Sequence, residues 1–119
     1  MSTSDVRHEN DSNTVRQALR ELERGLRELY AEKTPLILVY GSQARQEADS
    51  ASDIDVLLVY PGEIRPGQEI NRLRDILAEI NLRYQELISV IPVSEKDYKQ
   101  RTSPFWVNVR KEGIPIDGI

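Results

Sequence analysis

Two aspartates stand at the head of one of the most apolar stretches of this chain. Between Tyr40 and Tyr60 the sequence runs GSQARQEADSASDIDVLLV, which places Asp53 and Asp55 one residue apart. In a strand they share one face, about 6–7 Å from each other. Like charges so placed repel, and Asp is depleted in strands, so something must compensate. A divalent cation does so naturally. Hard carboxylate oxygens suit Mg²⁺, which binds one or two carboxylates together with substrate phosphates. Two ions held this way can clamp the attacking and leaving oxygens of a phosphoryl or nucleotidyl transfer. The plain alternative is a turn in which Asp53 caps a loop.

Gly41-Ser42 supplies a complementary part. It lies where an apolar strand ends and a helical turn can begin, a place where free backbone N–H groups cradle anions. Glycine permits close backbone approach, and a serine hydroxyl can donate to a phosphate oxygen. Taken alone, Gly-Ser is an ordinary turn.

The elements that must position these residues follow from periodicity. Residues 1–13 are polar and predict a tail without stable structure. Val15, Leu19, Leu22, Leu26 and Leu29 recur at helical steps over about Thr14–Lys33. Arg16, Arg20, Arg24 and Arg27 form a separate stripe, read as a solvated face with Glu neighbours, or else as a contact for an acidic partner. Leu36–Tyr40 predicts a strand, Gln43–Ala48 a possible helical turn, and Asp49–Ser52 a loop. Asp53–Tyr60 predicts a second strand, stopped by Pro61-Gly62. Ile70, Leu73, Ile76, Leu77 and Ile80 mark a helix over about Gly67–Tyr84, and Leu87–Val93 a third strand. Ser94 reads as an N-cap, and a last short helix through Phe105–Lys111 should end at Gly113 as its C′ residue. Phe105 and Trp106 are expected in the core, and Tyr40, Tyr60 and Tyr84 to pack or cap the sheet. His8 receives no role. The economical arrangement is an α+β domain, residues 14–119, with helices flanking one small sheet.

Composition narrows the function. The chain has 119 residues, no cysteine and a formal net charge of −4. An acidic balance disfavours direct nucleic-acid binding, though not a nucleotide held through metal ions. No apolar leader or membrane-length run is present, so the expectation is a cytoplasmic protein with no membrane association.

Gly-Ser, ten residues, then Asp-Ile-Asp entering an apolar strand resembles the signature of the DNA polymerase beta-type nucleotidyltransferase superfamily. GSQAR followed by SDIDVLLV, with the closing VRKEGIPI, is most similar to its minimal nucleotidyltransferase (MNT) group. The resemblance implies a small mixed sheet flanked by helices, the polymerase beta-like fold. It implies that Ser42 contacts the triphosphate of ATP or another NTP, and that Asp53 and Asp55 ligate two Mg²⁺ ions. Arg45 matches an arginine common in the group, near the phosphates or simply at the surface.

One departure stands out. The superfamily normally takes a third carboxylate from a neighbouring strand, and in ELISVIPVSEKDY that position falls at Ser89. Serine is neither a carboxylate ligand nor a base near neutral pH. Glu86 is the nearest substitute, but its odd offset sends it to the opposite face of a regular strand. The resemblance therefore implies Mg²⁺-dependent transfer of a nucleoside monophosphate, AMP from ATP, to a hydroxyl. The acceptor belongs to another protein or an oligomer; in the family the partner is a HEPN-type toxin, with the MNT protein as antitoxin. The alternative is a catalytically impaired relative acting as a non-catalytic binding subunit.

Overall fold

The computed structural model describes the backbone of residues 3–41 and 53–118, and side chains from residue 13 onward within them. The elements are α1 (Thr3–Tyr30), β1 (Leu36–Tyr40), β2 (Ile54–Tyr60), α2 (Pro66–Tyr84), β3 (Ile88–Ser94), α3 (Glu95–Gln100), α4 (Pro104–Glu112) and β4 (Ile114–Pro115). Short 3-10 turns follow α1 at Ala31–Lys33 and β4 at Ile116–Gly118. The predicted turn and loop over residues 43–52 lie outside the described residues.

The strands form one mixed sheet in the order β3-β2-β1-β4. β1 runs antiparallel to β2, with Leu36 opposite Val59 and Tyr40 opposite Asp55. β2 runs parallel to β3, with Ile54 opposite Ile88 and Asp55 opposite Ser89. A parallel neighbour requires a crossover, and α2 supplies it. The α+β class and the small mixed sheet are as the sequence predicts.

β2 is the central strand and is buried on both faces from Val56 to Tyr60. One face carries Ile37, Val39, Ile54, Val56, Leu58 and Tyr60 against α1 and α2, which contribute Val15, Ala18, Leu19, Leu22, Leu26, Leu73 and Ile80. The other carries Leu38, Leu57, Val59 and Val93 against Val109, Tyr98, Phe105 and Trp106. Each fully buried Leu or Val removes enough apolar area to contribute about 1.5–3 kcal/mol.

α1 is helical from Thr3, and among the described side chains its core-facing stripe runs from Val15. Several expectations need correcting. Leu29 and Ile70, expected on the apolar stripes, are 44% and 43% exposed. Where these two helix ends meet, the inward position on α2 is Glu69, one helical turn before Leu73. Tyr30 donates its hydroxyl to Glu69, and Tyr60 donates to Tyr30 at 3.1 Å, so a buried polar chain replaces apolar contact there. Two helices follow β3. Ser94 caps α3 by accepting from the Asp97 N–H at 3.1 Å, and the chain then breaks before Pro104, which starts α4. A proline disfavours helical backbone in the residue before it.

Gly113 ends α4 without a left-handed turn: its φ is −64°. The glycine is required for space, because a Cβ there would lie 2.7 Å from the Val109 carbonyl oxygen. Left-handed helix ends lie instead at Ala31, after α1, with φ 52°, and at Gln85, after α2, with φ 53°. Both edge strands carry a proline, Pro92 in β3 and Pro115 in β4, and a proline removes a ladder donor. Among the described residues no helix is long and apolar enough to cross a membrane. The arginine stripe is a solvated face: Arg20 donates to Asp117 and Glu23, and Arg27 to Glu23, all at exposed positions.

Gly113→Ala is expected to destabilise the domain by about 1–3 kcal/mol, the usual range for overpacking. Urea denaturation should show the loss as a lower midpoint with an unchanged slope.

Candidate functional site

The register brings three polar side chains into one row across the sheet. Tyr40 on β1 lies opposite Asp55 on β2, and Asp55 lies opposite Ser89 on β3. Alternation along β2 puts Asp55 on the same face as Leu57 and Val59, the face partly covered by α4. Asp53 precedes the strand rather than opening it and is exposed, whereas Asp55 is half-buried.

Gly41 and Asp55 meet directly. Gly41 adopts φ 74°, the left-handed region that side chains other than glycine rarely take. A Cβ placed there would lie 3.0 Å from Asp55 Oδ2. The turn after β1 and the carboxylate on β2 thus occupy one location, and only a residue without a side chain fits both demands. Ser42 and Arg45, the other two predicted nucleotide-contacting residues, lie outside the described residues.

Burial, and next the negative charge of Asp53, push the Asp55 carboxyl above its ordinary range. Burial and then the Asp55 charge push the Tyr40 phenol up to about 12, so it remains protonated near neutral pH. The Tyr40 ring is backed by Phe105 at 5.7 Å and 56°, and Phe105 by Trp106 at 5.0 Å. The Arg101 guanidinium lies 5.2 Å from the Trp106 ring centre. These aromatics are half-buried on the core, as expected, and they also wall the β1 side of the row.

The third strand is set by Asn81, whose side chain accepts the Ile88 N–H at 2.9 Å. The Ile54 N–H donates to the Leu87 carbonyl at 2.8 Å, and these two bonds fix the register that places Ser89 beside Asp55. Glu86 sits ahead of β3 in the turn that closes α2, where its N–H donates to the Asn81 carbonyl. Among the described residues no group of three or more His, Cys, Asp or Glu could hold a metal ion. The donor set here is a pair, Asp53 and Asp55. A carboxylate pair in which the charge of Asp53 raises the proton affinity of Asp55 fits a hard cation that completes its shell from substrate oxygens.

Comparison with known proteins decides the family. A family model described as a nucleotidyltransferase domain matches residues 19–111. The chain belongs to that family. A Methanocaldococcus jannaschii protein named "Putative protein adenylyltransferase" is 29% identical over 98 residues, spanning 82% of this chain and 92% of the relative. The crystal structure of a toxin-antitoxin with AMP-PNP superimposes with a TM-score of 0.57 at 15% identity, covering 84% of this chain and 73% of that one. A "putative nucleotidyltransferase" from Sulfolobus solfataricus does so with a TM-score of 0.54 at 16% identity, covering 89% and 85%. At these identities the solved structures establish the fold.

Within the nucleotidyltransferase domain, the sequence singled out the two aspartates and the glycine and gave Tyr40 a packing role, and the register adds Tyr40 to their row. Its signal was position: it immediately precedes Gly41, so an antiparallel return strand carries Asp55 back to it. Asn81 was missed altogether, because a polar residue near a helix end gives no hint of a partner seven positions later.

Gly41→Ala is expected to lower stability by roughly 1 kcal/mol or more, as left-handed backbone rejects a side chain, and to displace Asp55. Thermal melts with and without Mg²⁺ would check both effects. Asp55→Asn should act in the opposite direction on the metal-free protein. A carboxyl whose folded pKa is raised binds protons more tightly when folded. Its effect is therefore to lower stability as pH rises from the ordinary value of 3.8 through the raised one. The Asn variant should melt higher than wild type near pH 7, and the difference should vanish below the ordinary carboxylate range.

Proposed function

We propose that this nucleotidyltransferase domain transfers AMP from ATP, with Mg²⁺, to a hydroxyl on a partner protein. The observation that carries the reading is the meeting of the Gly41 turn with the Asp55 carboxylate, with Asp53 close enough to raise its pKa. The name of the archaeal relative supports a protein acceptor. The likeness to a toxin-antitoxin supports the fold on which a HEPN-type toxin partner is proposed. Mg²⁺ held by Asp53 and Asp55 would neutralise negative charge that develops on the phosphate oxygens.

The chain's own residues then divide the work. Asp53 and Asp55 would hold the cations, which would supply charge neutralisation for the triphosphate. Gly41 lets the backbone approach the phosphates, with Ser42 as donor and Arg45 as a nearby cation. The acceptor hydroxyl oxygen forms a bond to the α-phosphorus, the bridging bond to the β-phosphate breaks, and pyrophosphate leaves with that electron pair. The hydroxyl proton must go to a base. A carboxylate in the row would serve, but beside Asp55 stands Ser89.

That residue motivates the second reading, a contact-only antitoxin descended from a transferase. General-base assistance contributes about 10²–10⁴-fold, so its absence leaves either a slow enzyme or a binding subunit.

Calorimetric titration of Mg²⁺ with AMP-PNP should give saturable binding by wild type and none by the Asp53→Asn, Asp55→Asn variant. No binding by folded wild type, alone and with its partner, would sink the catalytic reading. Under the first reading, Ser89→Asp should increase AMP transfer by about 10²-fold. A transfer rate that stays flat while Mg²⁺ affinity rises would favour the contact-only reading.

A further inference from the structure

We propose that the strip along β3 beside Asp55, which no described helix covers, is where the polypeptide carrying the acceptor hydroxyl docks, seating apolar side chains on Ile91 and on Leu87 just ahead of the strand, to either side of Ser89. The inference rests on the protein-acceptor reading above and locates its partner surface.

Alternation along β3 is read directly from burial. Ile88 and Pro92 are buried and Val90 packs against the helix-covered face, while Ser89 and Ile91 are exposed and Val93 enters the second core. Ser89, Ile91 and Val93 therefore share the face that bears Asp55, and Leu87, immediately ahead of the strand and bonded through its carbonyl to the Ile54 N–H, continues the alternation. Helices α3 and α4 cover this face only as far as Val93, which is 4% exposed. Beyond it Ile91 is 36% exposed and Leu87 53%. Two apolar side chains thus stand about 13 Å apart along the strand, with a hydroxyl between them.

Continuity with the carboxylate gives the strip its meaning. Ser89 is one strand spacing, about 4.8 Å, from Asp55. On the opposite side of Asp55 the row is walled by Tyr40 backed by Phe105. A bulky acceptor that reaches Asp55 from the side of the sheet comes across β3.

The chemistry of the strip selects a protein. From Gln85 to Ser94 there is no Lys or Arg and the one charged residue is Glu86; Lys96 and Arg101 share a pocket with Ile91 at one end of the strip, and Arg101 is paired with Asp97. Nucleic acid would need cations to neutralise phosphates. Leu and Ile offer apolar contact instead. Pairing with a second copy through the strand edge is also disfavoured. Because the Ile54 N–H bonds the Leu87 carbonyl, parallel alternation turns the backbone groups of Ser89, Ile91 and Val93 toward β2 and those of Ile88, Val90 and Pro92 outward. Pro92 has no N–H to offer there. The contact is made by side chains.

The test uses the ¹⁵N-labelled full chain with saturating Mg²⁺ and AMP-PNP, and two short synthetic peptides. Both carry a central hydroxyl residue, flanked by leucines in one and by glutamines in the other. The leucine peptide should shift the amide resonances of residues 87–91, and the Leu87→Ser, Ile91→Ser variant should bind it roughly tenfold or more weakly. Both positions are exposed, so the variant should fold, and its affinity for Mg²⁺ with AMP-PNP should be unchanged. Equal shifts with both peptides, shifts confined to the α1–α2 face, or undiminished binding by the variant would overturn the proposal. So would sedimentation showing that the strip is buried in a dimer which the variant dissociates. A wild type that binds the leucine peptide at the strip but no nucleotide would remove the catalytic reading and leave the docking surface standing.

Discussion

β2 is buried on both faces along most of its length, and at Asp55 that burial gives way to a carboxylate. Everything near the site depends on this transition. A charged group at the rim of a two-sided core is partly desolvated yet still reachable, so it is held rigidly and remains poorly neutralised. The same strand that anchors the hydrophobic layers thus fixes the position of the acid to within the precision of core packing. Neighbouring strands inherit that precision through hydrogen bonds. Tyr40 is placed by antiparallel pairing and Ser89 by parallel pairing.

Much of this was legible in the sequence because it rests on strong local patterns. The apolar runs at Leu36–Tyr40 and Val56–Tyr60 admit little besides strands, and the stripe from Val15 to Leu26 admits little besides a helix. Charge repulsion at Asp-Ile-Asp left a plain turn open, and it was the resemblance of the longer motif that suggested the chemistry. What escaped were features set by long-range partners. Glu69 occupies an inward position because Tyr30 and Tyr60 supply its hydrogen-bonded surroundings, and no periodicity of apolar residues can reveal a buried acid. Gly113 was expected to provide a left-handed turn and instead provides clearance from the Val109 carbonyl. Helix-end glycines serve both purposes, and the sequence does not distinguish them. Residues 42–52, with Ser42 and Arg45, lie outside the described residues, so that half of the motif stands on the sequence alone.

The α1–α2 pair shows how the scaffold resists displacement of the site. Tyr84 and Arg83 at the end of α2 meet Glu21, Ile76 closes on Gly25, and Glu69 meets Tyr30. The contacts run in opposite order along the two helices, so they pack antiparallel over the sheet. Exposed ion pairs such as Arg83–Glu21 contribute little individually. The tight approach at Gly25, where a Cβ would meet Ile76 at 3.3 Å, leaves little room for the helices to slide.

The route by which the row is assembled has a kinetic corollary. Tyr40 and Asp55 come together through one antiparallel return of the chain, a short-range closure. Asp55 and Ser89 come together only after α2 has crossed the sheet and Asn81 has caught the start of β3. Closing the longer loop carries the larger entropic penalty and is rewarded later. Loop-closure entropy thus favours forming the glycine-carboxylate pair before the Asp55–Ser89 pair. Detachment of β3 alone would leave a molecule still able to present its acidic pair while no longer offering the strip beside it.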